Sequence, residues 1–257
     1  MATSPTKNVP RRAMVLAAGQ GTRLRPVTDR MPKAMVPVAG RPMIEFVLLL
    51  LRHYGICDIV INLHHFGKQI EDHLGDGQRF NVNISYSHEA ELLDTGGGLL
   101  KAKAFLQHGT FIVINTDVLI DIDLTAVLND HRQNQATATL VLRPDDDADR
   151  YGSIDIGADG RIRRFLEHRS PEQPAGAIRK LMFTGVQILD PRVFDYMDVG
   201  EQKKFSTTRE TYPRMLRAGE RLFGYNFAGF WQDLGTIERI EEAQHKLKSG
   251  RTQLHFL

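Results

Sequence analysis

Short apolar runs alternate with amphipathic segments along the first half of the chain. Apolar runs bounded by turn residues predict the strands Ala13–Ala18, Asp58–Leu63, Val82–Ser87, Phe111–Asn115 and Thr137–Leu142. Apolar positions at helical spacing predict the helices Pro42–Tyr54, Phe66–Leu74, Gly96–Leu106 and Leu124–Gln133. Strands that alternate with helices of this length are typical of βαβ units. The pattern therefore predicts an α/β fold, Rossmann-like and doubly wound, with a mostly parallel (mixed) sheet and helices on both faces.

The second half of the chain is richer in predicted strands. The segments Gly152–Ile156 and Arg161–Glu167 flank Asp159-Gly160, which is a hairpin signal. Further strands are predicted over Leu181–Leu189 and Leu222–Phe227, and helices from Asp190-Pro191, over Thr208–Arg217 and over Thr236–Lys248, with a mobile loop over Arg169–Ala177. No linker separates two cores. We therefore expect one domain over 13–250, with a first half of about 13–142 and a β-rich lobe of about 150–230, after a disordered lead over 1–12.

Composition narrows the classes of protein that this chain can belong to. The 257 residues are 42% hydrophobic and 25% charged, which is a globular composition. A formal charge of +2 gives no general attraction to nucleic acid or to an anionic membrane. The longest apolar run, Phe46–Leu51, is too short to span a bilayer, and Met1–Arg12 has no apolar signal-peptide core. The single cysteine, Cys57, excludes internal disulfides and fits a reducing compartment, so we expect a cytoplasmic protein.

A glycine-rich run follows the first predicted strand. It comprises Leu16-Ala17-Ala18-Gly19-Gln20-Gly21-Thr22-Arg23-Leu24-Arg25-Pro26, with Pro32-Lys33 after it. Such a loop exposes backbone N–H groups and can wrap a polyphosphate backed by fixed positive charge. An ordinary glycine turn with solvated arginines is the alternative, and the preceding strand makes it the weaker one. Ligands of such sheets lie beyond the carboxyl ends of the strands, so Asp117 should face the same crevice as the glycine loop.

The run from Leu16 to Thr28, with Pro32-Lys33, resembles the signature of the sugar-1-phosphate nucleotidyltransferases, L-A-A-G-x-G-T-R-L-x-P-x-T followed by P-K. That family usually has P-K-P, and here Ala34 replaces the second proline but leaves the lysine in place. The resemblance implies a GT-A-like nucleotidyltransferase fold. It also implies transfer of a nucleoside monophosphate from a triphosphate to a sugar-1-phosphate, with release of pyrophosphate. The tail is too short for the C-terminal β-helix of some relatives, so we expect that domain to be absent.

The implied reaction brings two anions together, so arginine, lysine and a metal must supply positive charge. The resemblance assigns Arg23 to the β- and γ-phosphates of the leaving group, and Lys33 to the α-phosphate and the attacking phosphate. Arg25 is open between a phosphate ligand and a structural loop arginine. The loop residues expected to hold the nucleotide are Leu16, Ala17, Ala18, Gly19, Gly21 and Thr22.

Two aspartates are implied ligands of Mg²⁺. Asp117 matches the aspartate of the family's N-G-D or G-D element, with Thr116 where glycine is common. Asp233 lies in Gly229–Thr236, which resembles the G-x-W-x-D-x-G-T element whose aspartate completes the metal site. Mg²⁺ is usually held by few carboxylates together with phosphates and water. A turn-capping role is the alternative for both, and Asp123 favours the N-cap of the next helix.

Base recognition is predicted in His88–Gly98, which resembles the E-x-L-x-T-G-G element of the smaller family members. We expect Glu91, Thr95 and Gly96 to contact the base, because glycine lets the backbone lie against a flat ring. The alternative, compatible with the first, is a plain helix start with Asp94 or Thr95 as the N-cap.

Sugar binding is predicted in the β-rich lobe. Tyr151-Gly152 and Glu167 match the Y-G and E-K elements with which relatives hold sugar hydroxyls, although His168 replaces the lysine and Arg169 is a candidate substitute. Phe183-Thr184-Gly185 matches a further sugar-contact element. The predicted set is Gly152, Glu167, Thr184 and Gly185, and simple packing of the lobe is the alternative for each.

The expected absence of a C-terminal module and the run Thr95–Gly98 together resemble one branch of the family most. That branch contains mannose-1-phosphate guanylyltransferase and N-acetylmuramate-1-phosphate uridylyltransferase. The donor is therefore expected to be GTP or UTP, with guanylyl transfer to a mannose-type phosphate slightly favoured and another hexose or a heptose phosphate left open.

A phosphocholine-type cytidylyltransferase would need an aromatic cage, and Trp231, Tyr212 and Tyr225 are not grouped in sequence. A third hypothesis is a catalytically silent regulatory relative that binds a nucleotide sugar. This hypothesis predicts that a charged residue of the motifs has been lost. No nucleic-acid or membrane partner is expected, and a homo-oligomer is compatible with the sequence.

Overall fold

The computed structural model describes residues 12–145, 153–172, 176–197, 200 and 203–257. The strands in these ranges are β1 (Arg12–Leu16), β2 (Pro37–Val38), β3 (Arg41–Pro42), β4 (Asp58–Leu63), β5 (Asn83–His88), β6 (Phe111–Asn115), β7 (Val118–Ile120), β8 (Ala138–Arg143), β9 (Ile154–Ile156), β10 (Ile162–Phe165), β11 (His168–Arg169), β12 (Arg179–Leu189), β13 (Leu222–Asn226) and β14 (Trp231–Asp233). The α-helices are α1 (Met43–His53), α2 (Gly67–Leu74), α3 (Asp94–Lys101), α4 (Lys103–Leu106), α5 (Leu124–Gln133), α6 (Tyr212–Arg217) and α7 (Ile237–Lys248).

One large sheet contains strands from both halves of the chain. Its first part runs β5–β4–β1–β6, and all neighbours in it are parallel. The long strand β12 pairs antiparallel with β6 and, along its other edge, with β8, which is parallel to β13. The first residues of β12 also pair with β9, which continues through β10 to β11. The predicted mixed α/β sheet is confirmed, with more antiparallel pairing than predicted because the β-rich lobe joins it through hairpins.

Helices cover both faces of this sheet. Successive side chains of a strand point to opposite faces. Val15 of β1 therefore packs in one core with Leu48 of α1, whereas Met14 packs in the other with Leu99 of α3 and Leu106 of α4. The predicted doubly wound arrangement is confirmed by these two buried layers.

Several elements differ from their predicted bounds. Pro42 has an extended backbone and precedes α1 rather than opening it. The helix predicted over Gly96–Leu106 is divided into α3 and α4. The segment after Asp190 forms a 3₁₀ helix, Pro191–Tyr196, and a π-helical turn, Thr207–Thr211, precedes α6. The short strands β7 and β14 were not predicted, and they pair with each other in a separate two-stranded sheet.

Some predictions fall outside the described residues. Of the lead over 1–12 only Arg12 is described, and Gly152 lies in the undescribed segment 146–152. The predicted loop Arg169–Ala177 is described only in part. Over the described ranges, no helix combines the length and the apolar character needed to cross a membrane.

Candidate active site

A cavity of about 420 Å³ lies at the carboxyl ends of β1, β4 and β6. This is the edge at which parallel α/β sheets bind their ligands. Its wall combines the glycine-rich loop, the ends of the neighbouring strands and the start of α3. The lining residues are Leu16, Ala17, Ala18, Gly19, Gly21, Thr22, Arg23, Lys33, Asn62, Leu92, Asp94, Thr95, Asn115, Thr116, Asp117, Lys204 and Gly235. The six loop residues predicted to hold nucleotide all lie on this wall, and their contact with a nucleotide stays a prediction.

The glycine-rich loop is held in a compact turn that only glycine fits at position 21. Gly21 has a φ of +64°, in the left-handed region. A Cβ atom on Gly21 would fall 2.9 Å from the side chains of both Thr28 and Lys33. The Thr28 hydroxyl donates to the Gly21 carbonyl oxygen at 2.9 Å. Thr28, the last residue of the loop motif, therefore fixes the turn that brings Lys33 against the loop.

Lys33 and Asp117 form an ion pair inside the cavity. Lys33 Nζ donates to Asp117 Oδ2 at 2.5 Å, and the two side chains are 12% and 27% exposed. Thr116, which stands where the family often has glycine, donates its hydroxyl to the Leu16 carbonyl oxygen at 3.0 Å. The threonine thus joins the end of β6 to the start of the glycine-rich loop, and Asp117 follows directly.

The second predicted metal ligand, Asp233, lies beside the first because β14 pairs with β7. Asp233 is opposite Val118 in this pair, and the Leu234 N–H donates to the Asp117 carbonyl oxygen at 2.8 Å. A Cβ atom on Gly235 would fall 2.7 Å from Asp233 Oδ1 and 2.9 Å from the Arg23 guanidinium. Arg23 and Asp117 therefore line the cavity and Asp233 lies next to its lining residue Gly235, although the three residues are far apart in sequence.

The two carboxylates suit a magnesium ion that arrives with phosphate. Each is neutralised by a cation, Asp117 by Lys33 and Asp233 by Arg239 of α7. In the part of the chain that the structure describes, no group of three or more histidine, cysteine or acidic side chains is arranged for a metal. Mg²⁺ is commonly bound by one or two carboxylates, with substrate phosphates and water completing its coordination. The donor set fits that mode of binding and does not fit a closed site made of protein ligands.

Of the three residues predicted to contact the base, one lies on the cavity wall and two lie outside the lining. Thr95 lies on the cavity wall, and its Oγ1 accepts a hydrogen bond from the Thr207 N–H at 2.9 Å. Gly96 lies behind the wall, where a Cβ atom would fall 2.3 Å from the Phe205 ring. Gly96 is therefore required by the close packing of Phe205, and its contact with a base stays a prediction. Glu91 is exposed to solvent and lies outside the lining.

Lys204 is a lining residue that sequence reasoning missed. The segment around it crosses the start of α3, where the N–H groups of Gly96 and Gly97 both donate to the Phe205 carbonyl oxygen. A Cβ atom on Gly97 would fall 2.2 Å from the Lys203 carbonyl oxygen. The run Gly96-Gly97-Gly98 was the available signal, because consecutive glycines on a helix permit another backbone to approach closely.

Gly97→Ala should therefore destabilise the protein through a clash with backbone that cannot rotate away. We expect a loss of about 1–3 kcal/mol in the free energy of unfolding, the usual cost of overpacking. Urea denaturation followed by circular dichroism measures it. An unfolding free energy within about 0.5 kcal/mol of wild type, as for an ordinary surface substitution, would show that the segment 203–207 does not press on α3.

Two of the predicted sugar ligands, Thr184 and Gly185, make structural contacts outside the cavity lining. Thr184 is 1% exposed, and its hydroxyl donates to the Val141 carbonyl oxygen at 2.8 Å. Its own carbonyl oxygen accepts from Trp231 Nε1 at 2.9 Å. The Thr184 side chain therefore joins β12 to β8 through a buried and satisfied hydroxyl, and its contact with a sugar stays a prediction. Gly185 lies behind the lining residue Asn115, since a Cβ atom there would fall 3.0 Å from Asn115 Nδ2.

The remaining predicted sugar ligand, Glu167, lies in the turn between β10 and β11. Its side chain is 76% exposed and pairs with His168 at 3.1 Å. His168 Nδ1 in turn lies 2.9 Å from the Arg217 guanidinium. Glu167 is outside the cavity lining, so its contact with a sugar stays a prediction.

Comparison with known proteins agrees with the motifs. The model of the family described as nucleotidyl transferase matches residues 12–250. An N-acetylmuramate alpha-1-phosphate uridylyltransferase of Neisseria meningitidis is 39% identical, over 91% of this chain and 96% of that protein. A UTP–glucose-1-phosphate uridylyltransferase of Synechocystis is 35% identical, over 88% of this chain and 60% of that protein. A mannose-1-phosphate guanylyltransferase of Mycobacterium tuberculosis is 34% identical, over 93% of this chain and 65% of that protein.

The chain therefore spans less than two thirds of the Synechocystis and Mycobacterium proteins and nearly all of the Neisseria one. Among solved structures, a UDP-glucose pyrophosphorylase matches with a TM-score of 0.75 at 20% identity, over 95% of this chain and 100% of that chain. At that identity the likeness shows the shared fold alone, and it confirms the predicted fold class.

Proposed function

Because the chain belongs to the nucleotidyl transferase family, we propose that it transfers a nucleoside monophosphate from a nucleoside triphosphate to a sugar-1-phosphate. An oxygen of the sugar phosphate would attack the α-phosphorus, and the bond to the β-phosphate oxygen would break to release pyrophosphate. One observation carries the proposal. Arg23, Lys33 and Asp117 border one cavity, and Asp233 of the third motif lies against the lining residue Gly235, so the cations and acids of three separate motifs lie at or next to one cavity.

These groups can lower the barrier by charge and position alone. In this proposal Lys33 offsets the charge of the two reacting phosphates, and Arg23 holds the β- and γ-phosphates that leave as pyrophosphate. Asp117 and Asp233 would hold Mg²⁺, which when bound would supply further positive charge to the phosphates. The loop N–H groups add fixed partial positive charge without any reorganisation. All four motif charges are present, which disfavours the silent regulatory relative.

The finer proposal concerns donor and acceptor. Uridylyl transfer to an N-acetylmuramate-type sugar phosphate is supported by the Neisseria relative, because this chain matches 96% of its length. Guanylyl transfer to mannose-1-phosphate, which the sequence slightly favoured, is the second candidate and is supported by the Mycobacterium relative.

A substrate matrix tests both proposals. Pyrophosphate release is measured with Mg²⁺ for UTP, GTP, CTP and dTTP against the 1-phosphates of N-acetylmuramate, glucose, mannose and a heptose. We expect the highest kcat/KM with UTP and N-acetylmuramate-1-phosphate. A maximum with GTP and mannose-1-phosphate would select the second candidate. If no pair releases pyrophosphate, the proposed reaction is contradicted and the hypothesis of a catalytically silent regulatory relative is favoured.

A further inference from the structure

A buried carboxylate to which the sequence analysis gave no role, Glu89 of the His88–Gly98 segment, lies beneath the cavity. Glu89 is 5% exposed, and its Oε1 accepts a hydrogen bond from Asn62 Nδ2 at 2.8 Å. Its Oε2 accepts from the Leu93 N–H at 2.9 Å, one residue before α3. Asn62, at 3% exposure, accepts from the Ala17 N–H through Oδ1 at 2.8 Å. These four groups form a continuous chain of hydrogen bonds from the glycine-rich loop to the start of α3.

The carboxylate fixes the direction of every bond in this chain. An ionised carboxylate only accepts hydrogen bonds, so it must face the amide NH₂ of Asn62. The amide oxygen of Asn62 is thereby directed at the Ala17 N–H, which needs an acceptor. Glutamine at position 89 could not do the same, because it offers one acceptor where Asn62 and Leu93 each present a donor.

The surroundings hold this chain tightly in place. A Cβ atom on Gly98 would fall 2.9 Å from Glu89 Oε1 and 3.0 Å from Asn62 Nδ2, so the helix backbone presses against both groups. The Glu89 carbonyl oxygen also lies 3.0 Å from His64 Nδ1. Buried polar groups of this kind are costly when one partner is lost, because water cannot replace it.

We propose that Glu89 and Asn62 are positioning residues for the nucleoside triphosphate. They set the separation between the two walls that the nucleotide would contact. Ala17 and Asn62 line one wall of the cavity. Leu92 lines the other wall, and its neighbour Leu93 donates its N–H to Glu89. The inference rests on the proposed function and extends it to two residues to which the sequence analysis assigned no role. It assigns them an effect on nucleotide affinity and none on affinity for the sugar phosphate.

The pairing of hydrogen-bond donors and acceptors defines the variants that test the positioning role of Glu89 and Asn62. Glu89→Gln leaves two donors facing each other, either at Leu93 or at Asn62. Asn62→Asp sets two carboxylates against each other. The double variant Asn62→Asp with Glu89→Gln keeps the total charge and nearly the same volume. In it the amide NH₂ introduced at position 89 can donate to one oxygen of the carboxylate introduced at position 62. The other oxygen of that carboxylate can accept from Ala17, and the new amide oxygen can accept from Leu93.

The experiment measures KM for the triphosphate and for the sugar phosphate, and titrates UTP and GTP into each variant without turnover. We expect each single variant to weaken nucleotide binding about tenfold or more, as an unsatisfied buried group predicts. The sugar-phosphate KM should stay within about twofold, and the double variant should recover nucleotide binding to within about threefold of wild type, because contacting residues couple strongly. The matched control carries the same two chemical changes at exposed positions, Asn129→Asp with Glu241→Gln.

The outcomes separate this inference from the proposed reaction. A wild-type protein without turnover contradicts the proposed reaction, while the nucleotide titration still tests the positioning role. The inference is overturned if the single variants bind nucleotide as tightly as the control does. It is also overturned if the double variant binds nucleotide no more tightly than the single variant with the lower affinity. If a single variant does not fold, the isosteric double variant decides: near-normal nucleotide binding supports the inference and a loss overturns it.

Discussion

Lys33→Ala is expected to lower kcat on the order of a hundredfold while the protein remains folded. Removing one preorganised positive group that faces developing charge typically has an effect of this size. The Lys33 side chain is 12% exposed and its Nζ lies 2.5 Å from Asp117 Oδ2, so the ammonium is held at the cavity wall before substrate arrives. A group positioned in this way offsets phosphate charge without a cost of reorganisation. Steady-state kinetics with the best pair of the substrate matrix measures the loss.

A matched control is available on the surface. Lys68 is 77% exposed and pairs with Asp72 along its own helix, so Lys68→Ala should leave kcat unchanged. Lys33→Arg should restore activity only in part, because a planar guanidinium is not equivalent to a compact ammonium where the side chain passes Gly21 closely. Turnover of Lys33→Ala within a fewfold of the control would remove Lys33 from the reacting groups.

Sequence reasoning was most accurate where a continuous apolar run is bounded by turn residues. The predicted bounds of β4 and β6 agree with the structure, because both strands are largely buried and each is followed directly by a polar residue, His64 after β4 and Thr116 after β6. The glycine-rich loop was located for a similar reason, since a left-handed turn at Gly21 demands a specific residue. Local chemistry thus determined the edge of the sheet at which the cavity lies.

Contacts between distant segments could not be predicted in the same way. The strands β7 and β14 have three residues each, too few to show a period, and yet their pairing brings Asp117 beside Asp233. The meeting of these acids was expected only from the family resemblance. Gly96 shows the same limit, because the sequence indicates that something approaches closely but not that Phe205 does.

The direction of side chains in irregular segments was also beyond what the sequence could predict. Glu89 and Glu91 are two residues apart before α3, and the sequence favoured Glu91 as the functional one. In the structure Glu91 faces solvent, whereas Glu89 is buried by the Asn62 amide and the start of α3. No helix or strand period covers this turn, so only tertiary packing decides which acid is buried.

Asp117→Asn is the second large effect we expect, on the order of a hundredfold in kcat, with a higher Mg²⁺ concentration needed for half-maximal rate. Asparagine keeps the shape and can still accept a hydrogen bond from Lys33, but it removes the negative charge that would hold a cation. Asp123→Asn is the matched control. Asp123 caps α5 by accepting from the N–H groups of Thr125 and Ala126, and asparagine caps equally well.

A magnesium titration distinguishes two roles for Asp117. If the carboxylate holds the metal, the midpoint should rise about tenfold in Asp117→Asn and stay unchanged in the control, as expected when a cation loses one of two carboxylate ligands. A lower kcat with an unchanged midpoint would instead assign Asp117 to the placement of Lys33, since their contact is the closest interaction that the structure gives this carboxylate. Normal turnover with an unchanged midpoint would exclude both roles, and with them the arrangement of charges on which the proposed reaction depends.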